Sequence, residues 1–192
     1  MKIGVLAAQG AFAEHIQAFH KLQVDAVPIR LPGELLDIDA LVIPGGESTT
    51  ISRLLIAYKL TQAIQDRVKT GLPVFGTCAG MVMLSNTVID GDGVIPLNLI
   101  DICVRRNAFG RQVDSFETEI EIDSIGQPPF HGVFIRAPLI EKVGAHVEVI
   151  ARLKDETIVA ARQGQILVSS FHPELTEDLR LHRYFLTFLN NK

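Results

Sequence analysis

Residues 2–7 (KIGVLA), 26–30 (AVPIR), 40–44 (ALVIP) and 73–76 (PVFG) are short apolar runs, three of them ending near Gly or Pro. Strands buried on both faces of a parallel sheet have this character. Between the first two runs Phe12, Ile16, Phe19 and Leu22 fall at helical spacing. Between the last two, Ile51, Leu54, Leu55 and Tyr58 repeat the i, i+3, i+4, i+7 pattern. Strand and helix therefore alternate through the first half, which predicts a mostly parallel sheet flanked by helices. In that architecture ligands bind beyond the carboxyl ends of the strands, so function belongs in the loops that follow them.

The second half has another rhythm. Phe116, Thr118, Ile120 and Ile122 alternate with Glu117, Glu119, Glu121 and Asp123, the period of an antiparallel strand with one wet face. Residues 98–106, 130–136, 146–152, 157–162 and 165–171 are further strand candidates, separated by turn signals at 126–129, 144 and 163–164. A closing helix carries Leu181, Phe185, Phe188 and Leu189 on one stripe, with Thr176 as its expected N-cap and Glu177 and Asp178 in its first turn. No repeat, low-complexity tract or linker divides the chain, so residues 1–192 are expected to form a single domain.

Composition removes several function classes. Hydrophobic residues make 47% of the chain and charged ones 21%, which suits a folded protein. Eighteen Lys and Arg against 22 Asp and Glu give a net charge of −4, so no overall basic field exists to hold a nucleic acid. The opening apolar run is too short for a signal peptide or a membrane span, and a cytoplasmic protein is expected. Only Cys78 and Cys103 are present, which excludes a zinc site of paired cysteines and suits a reducing compartment. Cys103, in the run LIDICV, reads as core.

Three segments carry chemistry. Gly76-Thr77-Cys78-Ala79-Gly80 directly follows the fourth apolar run and directly precedes a helical-looking MVMLSN. This is the form of a nucleophile elbow, where small neighbours permit a sharp turn and the Ala79 N–H lies beside the nucleophile at a helix start. On local sequence alone Cys78 reads equally well as a small buried residue. A nucleophilic thiol wants a histidine and a third group to orient it. His172 ends the run ILVSSF, and Pro173 biases it toward extended backbone, which would put His172 and Glu174 on one side. A surface turn is the competing reading. His15, His20, His131, His146 and His182 have no such context and read as ordinary surface or partly buried residues. In Pro44-Gly45-Gly46-Glu47-Ser48-Thr49-Thr50 the glycines let the backbone approach a ligand, and Ser48, Thr49 or Thr50 can cap the helix that follows. The segment lacks the Lys of a phosphate loop, and a tight turn with a helix cap explains it equally well.

Taken together, the cysteine elbow, the distant His172-Pro173-Glu174 and the early Pro-Gly-Gly loop resemble the class I glutamine amidotransferases. More narrowly, PGGEST at 44–49, RNAFGRQVDSFE at 106–117, GVFIRAP at 132–138 and SFHPELTED at 170–178 look like the glutaminase subunits of pyridoxal 5′-phosphate synthases. The resemblance spans essentially the whole chain and implies a flavodoxin-like fold. It implies a triad of Cys78, His172 and Glu174 that hydrolyses L-glutamine, with the Gly46 and Ala79 N–H groups holding the oxyanion. Gly46, Glu47, Ser48, Arg106, Ile135 and Arg136 match positions that bind glutamine. It further implies that Gln9 and Gly10 form a loop that adjusts when a synthase subunit docks in a large hetero-oligomer. No metal or organic cofactor is implied, and Arg105 is given no substrate role. The alternatives are a glutaminase subunit serving another synthase, such as that for imidazole glycerol phosphate, and a non-hydrolytic cysteine-elbow redox or chaperone protein.

Overall fold

The computed structural model describes residues 1–106 and 115–190; Arg111 and the core of the RNAFGRQVDSFE block lie outside the described residues. The first half runs β1 (Lys2–Leu6), α1 (Phe12–Lys21), β2 (Asp25–Ile29), a 3-10 turn at Pro32–Asp37, β3 (Ala40–Ile43), α2 (Ser48–Ala57), α3 (Leu60–Lys69), β4 (Val74–Thr77), α4 (Ala79–Leu84) and β5 (Ser85–Ile89). The second contributes β6 (Ile100–Arg105), β7 (Ser115–Ile120), β8 (Phe130–Ile135), β9 (Leu139–Val143), β10 (Glu148–Arg152), β11 (Ile158–Gln163), β12 (Ile166–Ser169) and α5 (Arg180–Leu186). The expected strands are all present. α3, β5 and β9 were not foreseen.

Among the described residues one sheet has the order β2-β1-β3-β4-β12-β11-β9-β6-β5, with β10 paired to β11. From β2 to β12 the pairing is parallel. Antiparallel pairing begins at β11 and continues through β9 to β6, so the second half extends the same sheet. β7 and β8 form a separate antiparallel ribbon.

Alternation along each central strand feeds two cores. On β3, Leu41 and Ile43 face the side covered by α2, α3 and α4, whereas Ala40 and Val42 join Phe19 of α1 and Phe185 of α5 on the other. Every residue of β3, β4 and β12 is buried, which is why these strands read as unbroken apolar runs. The ribbon closes over the second core through Phe130 and Phe134, and the Phe134 ring stacks on Phe116 with centroids 4.5 Å apart.

Two helix starts differ from expectation. Glu47, not a hydroxyl residue, caps α2: its carboxylate accepts from the N–H groups of Thr49 (3.1 Å) and Thr50 (2.7 Å). A carboxylate reaches two orphan N–H groups at once and also complements the helix dipole. The last helix starts at Arg180 rather than beside Thr176. Pro173–Leu175 form a 3-10 turn first, Thr176 Oγ1 donates back to the Pro173 carbonyl, and Asp178 accepts from the Arg180 N–H at 3.0 Å.

Candidate active site

Register brings the chemistry to one edge of the sheet. β4 and β12 are parallel neighbours with Thr77 opposite Ser169, so Cys78 leaves one strand where residues 170–172 leave the next. The Cys78 N–H donates to the Ser169 carbonyl at 2.8 Å, tying the two exits together. Cys78 holds φ 50° and ψ −107°, a conformation that L residues avoid and that functional turns retain at a cost. The elbow also needs its glycines. A Cβ on Gly80 would lie 1.8 Å from the Ile43 carbonyl oxygen, and one on Gly76 would lie 2.8 Å from the Gly80 carbonyl.

His172 meets Glu174 by a different backbone route from the extended one expected. Pro173 and Glu174 lie in the 3-10 turn, and this turn delivers the Glu174 Oε1 to 2.7 Å from His172 Nδ1. The His172 N–H donates to the Val133 carbonyl of β8 at 2.8 Å, and the Cys78 thiol faces the Ile135 carbonyl at 3.9 Å, so the ribbon supports both. Gly45 packs where a Cβ would touch the His172 ring at 2.4 Å and the Cys78 Cβ at 3.3 Å, which places the imidazole and the thiol against the same peptide. Burial pushes the His172 pKa down, but hydrogen bonding and charge from Cys78 and Glu174 outweigh it and raise the pKa to about 10. Burial likewise raises the Glu174 carboxyl, and the neighbouring His15 and His172 more than offset it, leaving Glu174 ionised.

A cavity of about 300 Å³ opens in front of Cys78. Gln9, Gly46, Glu47, Ser48, Cys78, Ala79, Arg106, Ile135, Arg136 and His172 all line it, joined by Val82 and Pro138. Glu174 stands behind His172, and Gly10 is set back from the cavity, against the Gly45 carbonyl that also accepts from the Ala11 N–H at 3.3 Å. Gln9 Oε1 accepts from the Glu47 N–H at 2.7 Å, so the loops after β1 and β3 are clasped together. Because that peptide is trans, the Gly45 carbonyl turned toward Ala11 leaves the Gly46 N–H on the opposite side. The Gly46 and Ala79 N–H groups have no hydrogen-bond partner among the described residues.

Glu47 differs in one respect from a free acceptor for an ammonium. Its carboxylate already receives the two helix N–H groups, the Thr50 hydroxyl at 2.9 Å and Arg106 at 3.2 Å. Burial raises its pKa, while the hydrogen bonds from Thr50 and Thr49 prevail and hold it below the usual carboxylate range. It therefore holds Arg106 in place, whose guanidinium also reaches Thr49 Oγ1 at 3.5 Å. Arg136 follows β8 with φ 43°, a strained residue at the cavity wall. Arg105 points elsewhere and is bound by Glu141 and Asp90.

Two residues read from sequence as ordinary are part of this centre. His15 and His182 are fully buried, and His15 Nε2 lies 3.3 Å from Glu174 Oε2. His15 falls on the stripe marked by Phe12 and Phe19, three residues from one and four from the other, and His182 lies three residues before Phe185. A histidine on an apolar stripe was the available signal. Among the described residues no cluster of three or more His, Cys, Asp or Glu could hold a metal ion, and no helix is long and apolar enough to cross a membrane.

The chain has known relatives over almost its whole length. The chain is 53% identical over 188 residues to the pyridoxal 5′-phosphate synthase subunit PdxT of Herpetosiphon aurantiacus, covering 97% of this chain and 99% of that one. It is 55% identical over 186 residues to the protein of the same name from Pelotomaculum thermopropionicum, covering 97% and 94%. A crystal structure of a glutamine amidotransferase superposes with a TM-score of 0.93 at 48% identity, covering 98% of each chain. The sequence profile of the SNO glutamine amidotransferase family matches residues 5–191, and the chain belongs to that family.

Proposed function

We propose that this chain is the glutaminase subunit of a pyridoxal 5′-phosphate synthase, and that Cys78, His172 and Glu174 carry the hydrolysis of L-glutamine to L-glutamate and ammonia. The observation that carries the reading is the meeting of a strained cysteine elbow with a buried His172–Glu174 pair at one 300 Å³ cavity. The raised His172 pKa suits it to take up the Cys78 proton. The thiolate attacks the side-chain amide carbon, and the carbonyl electrons move onto oxygen. The Gly46 and Ala79 N–H groups receive that oxyanion, a role typically worth about 3 kcal/mol per donor. His172 then gives its proton to the nitrogen, the C–N bond breaks, and ammonia departs from a glutamyl thioester. Now neutral, His172 takes a proton from water as it attacks the thioester, and glutamate leaves with Cys78 restored. Glu174 holds the Nδ1–H of His172 through both half-reactions.

Arg106 suits the α-carboxylate of glutamine, as a guanidinium fork held in place by Glu47 and Thr49. Gly46, Ser48, Ile135 and Arg136 line the same cavity and would hold the rest of the amino acid. The synthase subunit would bind over the loop of Gln9 and Gly10, which already grips the Gly45–Glu47 segment, and receive ammonia sheltered from water. Residues 1–192 would act as one domain, in keeping with the single sheet that runs through both halves. The free thiols of Cys78 and Cys103 fit a reducing cytoplasm. The test is glutamate release from glutamine by this protein alone and with a pyridoxal 5′-phosphate synthase subunit. Activity that rises strongly with that partner supports the reading, and activity indifferent to it overturns the pathway assignment.

A further inference from the structure

Behind the triad lies a second line of polar groups that the chemistry above does not use. His15 reaches it from α1, Thr77 from the end of β4 and His182 from α5. Glu174 has spent Oε1 on His172; its Oε2 is buried and has no directed hydrogen bond among the described residues. The His15 Nε2 lies 3.3 Å from this oxygen, and both side chains are 0% exposed. The same Nε2 is 3.1 Å from Thr77 Oγ1, while His15 Nδ1 is 3.0 Å from His182 Nε2.

Electrostatics favours one arrangement of protons. A lone pair on Nε2 would lie 3.3 Å from an ionised carboxylate and be repelled by it, whereas a proton there is attracted by Glu174 and can be donated to Thr77 Oγ1. Burial outweighs the carboxylate and keeps His15 below the ordinary histidine pKa, and burial with His15 beside it lowers His182 to about 3, so both rings are neutral. His15 Nδ1 is then an acceptor and takes the Nε2–H of His182. That leaves the lone pair of His182 Nδ1 over, and this atom is without a partner among the described residues. The opposite arrangement would strand a buried N–H there instead, the costlier defect.

We propose that His15 is a positioning residue for the triad: its Nε2–H bears on the Glu174 oxygen that His172 leaves free and fixes the carboxylate plane, with His182 setting the tautomer. The inference rests on the glutaminase reading. A carboxylate held at one oxygen can pivot about it, and a pivot swings the His172 ring away from Cys78. His15 touches neither substrate nor nucleophile, so its removal should lower kcat and spare KM.

The experiment compares the wild type, His15→Gln and His15→Leu, each assayed for glutamate release in complex with the synthase subunit. In His15→Leu we expect kcat to fall about 10–100-fold, the size of effect seen when a supporting hydrogen bond behind a reactive ligand is lost. KM for glutamine should stay within about twofold. His15→Gln, which can place an amide N–H near the Nε2 position, should recover most of kcat. An unchanged kcat in His15→Leu overturns the proposal, as does an equal loss in both variants that tracks a loss of thermal stability. Nitrogen-15 NMR of histidine-labelled wild type supplies a readout free of folding defects and of turnover. A neutral His15 protonated at Nε2 supports the assignment, and a proton on Nδ1 overturns it. A wild-type complex that releases no glutamate would instead overturn the glutaminase reading.

Discussion

The substitution Gly80→Ala sets two physical effects of opposite sign against each other. By helix propensity alone it should stabilise α4 by about 1 kcal/mol, because alanine loses less backbone entropy than glycine. The structure predicts the reverse. The new Cβ would sit 1.8 Å from the Ile43 carbonyl oxygen and 2.8 Å from its carbon, where real Cβ atoms keep at least 3.0 Å. The obstacle is backbone at the centre of the sheet, with no rotamer to move it aside. Helix α4 must back away from β3, and overpacking of this kind costs about 1–3 kcal/mol. With the propensity gain subtracted, a net loss of about 2 kcal/mol at most is expected by urea titration. Activity should suffer more, because Cys78 moves with α4 and a displacement of roughly 1 Å at a reacting atom is worth on the order of 100-fold in rate. Gly33→Ala is the control: nothing lies within 4 Å of its Cβ, so that variant should be neutral or slightly stabilised. A Gly80→Ala protein with an unchanged or higher urea midpoint and wild-type glutamate release would refute the packing argument for the elbow.

The other expectations are simpler. Cys78→Ala should abolish glutamate release and leave the circular dichroism spectrum unchanged; residual turnover would remove Cys78 from the mechanism. Glu174→Gln should reduce kcat severely by misorienting His172, and a near-normal rate would demote Glu174. His182 has its pKa lowered to about 3, against 6.5 for an ordinary histidine. Below 6.5 the unfolded chain binds a proton that the folded one refuses, so stability falls as pH drops from 6.5 toward 3. His182→Phe should flatten that acid limb in urea titrations at pH 4 and 7; an identical slope would contradict the burial argument. Glu47→Ala should cost about 1 kcal/mol through the lost cap of α2, and should raise KM for glutamine by releasing Arg106, which steady-state kinetics would detect.

The strands at the centre of the sheet were legible because β1, β3, β4 and β12 have little or no exposed face, so their sequences admit almost only apolar residues. β9 was not: LIEKV carries Glu141 and Lys142 on exposed positions and lacks both a run and an alternation. Helix α3 hid for a similar reason, since only Leu60 and Ile64 of its ten residues are fully buried. The Cys78 elbow was readable because so sharp a turn restricts its neighbours to small residues. His15 and His182 were misjudged because a buried histidine has no local motif. Its partners come from α1, β4, α5 and the turn after β12, and only tertiary structure assembles them.

The position of β12 bears on how the protein is born. It is the last strand among the described residues, yet it fills the middle of the sheet between β4 and β11. While the ribosome adds the stretch from Thr77 to Ile166, at about 5–20 residues per second, β4 has an unpaired edge for several seconds. Such an edge invites pairing with other chains, and closing it by a distant parallel strand is a slow step. Cys78 is thus synthesised early and its proposed base, His172, late. A nascent chain that stops anywhere before His172 can carry Cys78 but has no imidazole from the His172–Glu174 pair to set against it. Turnover by this site would accordingly report that synthesis had passed Glu174.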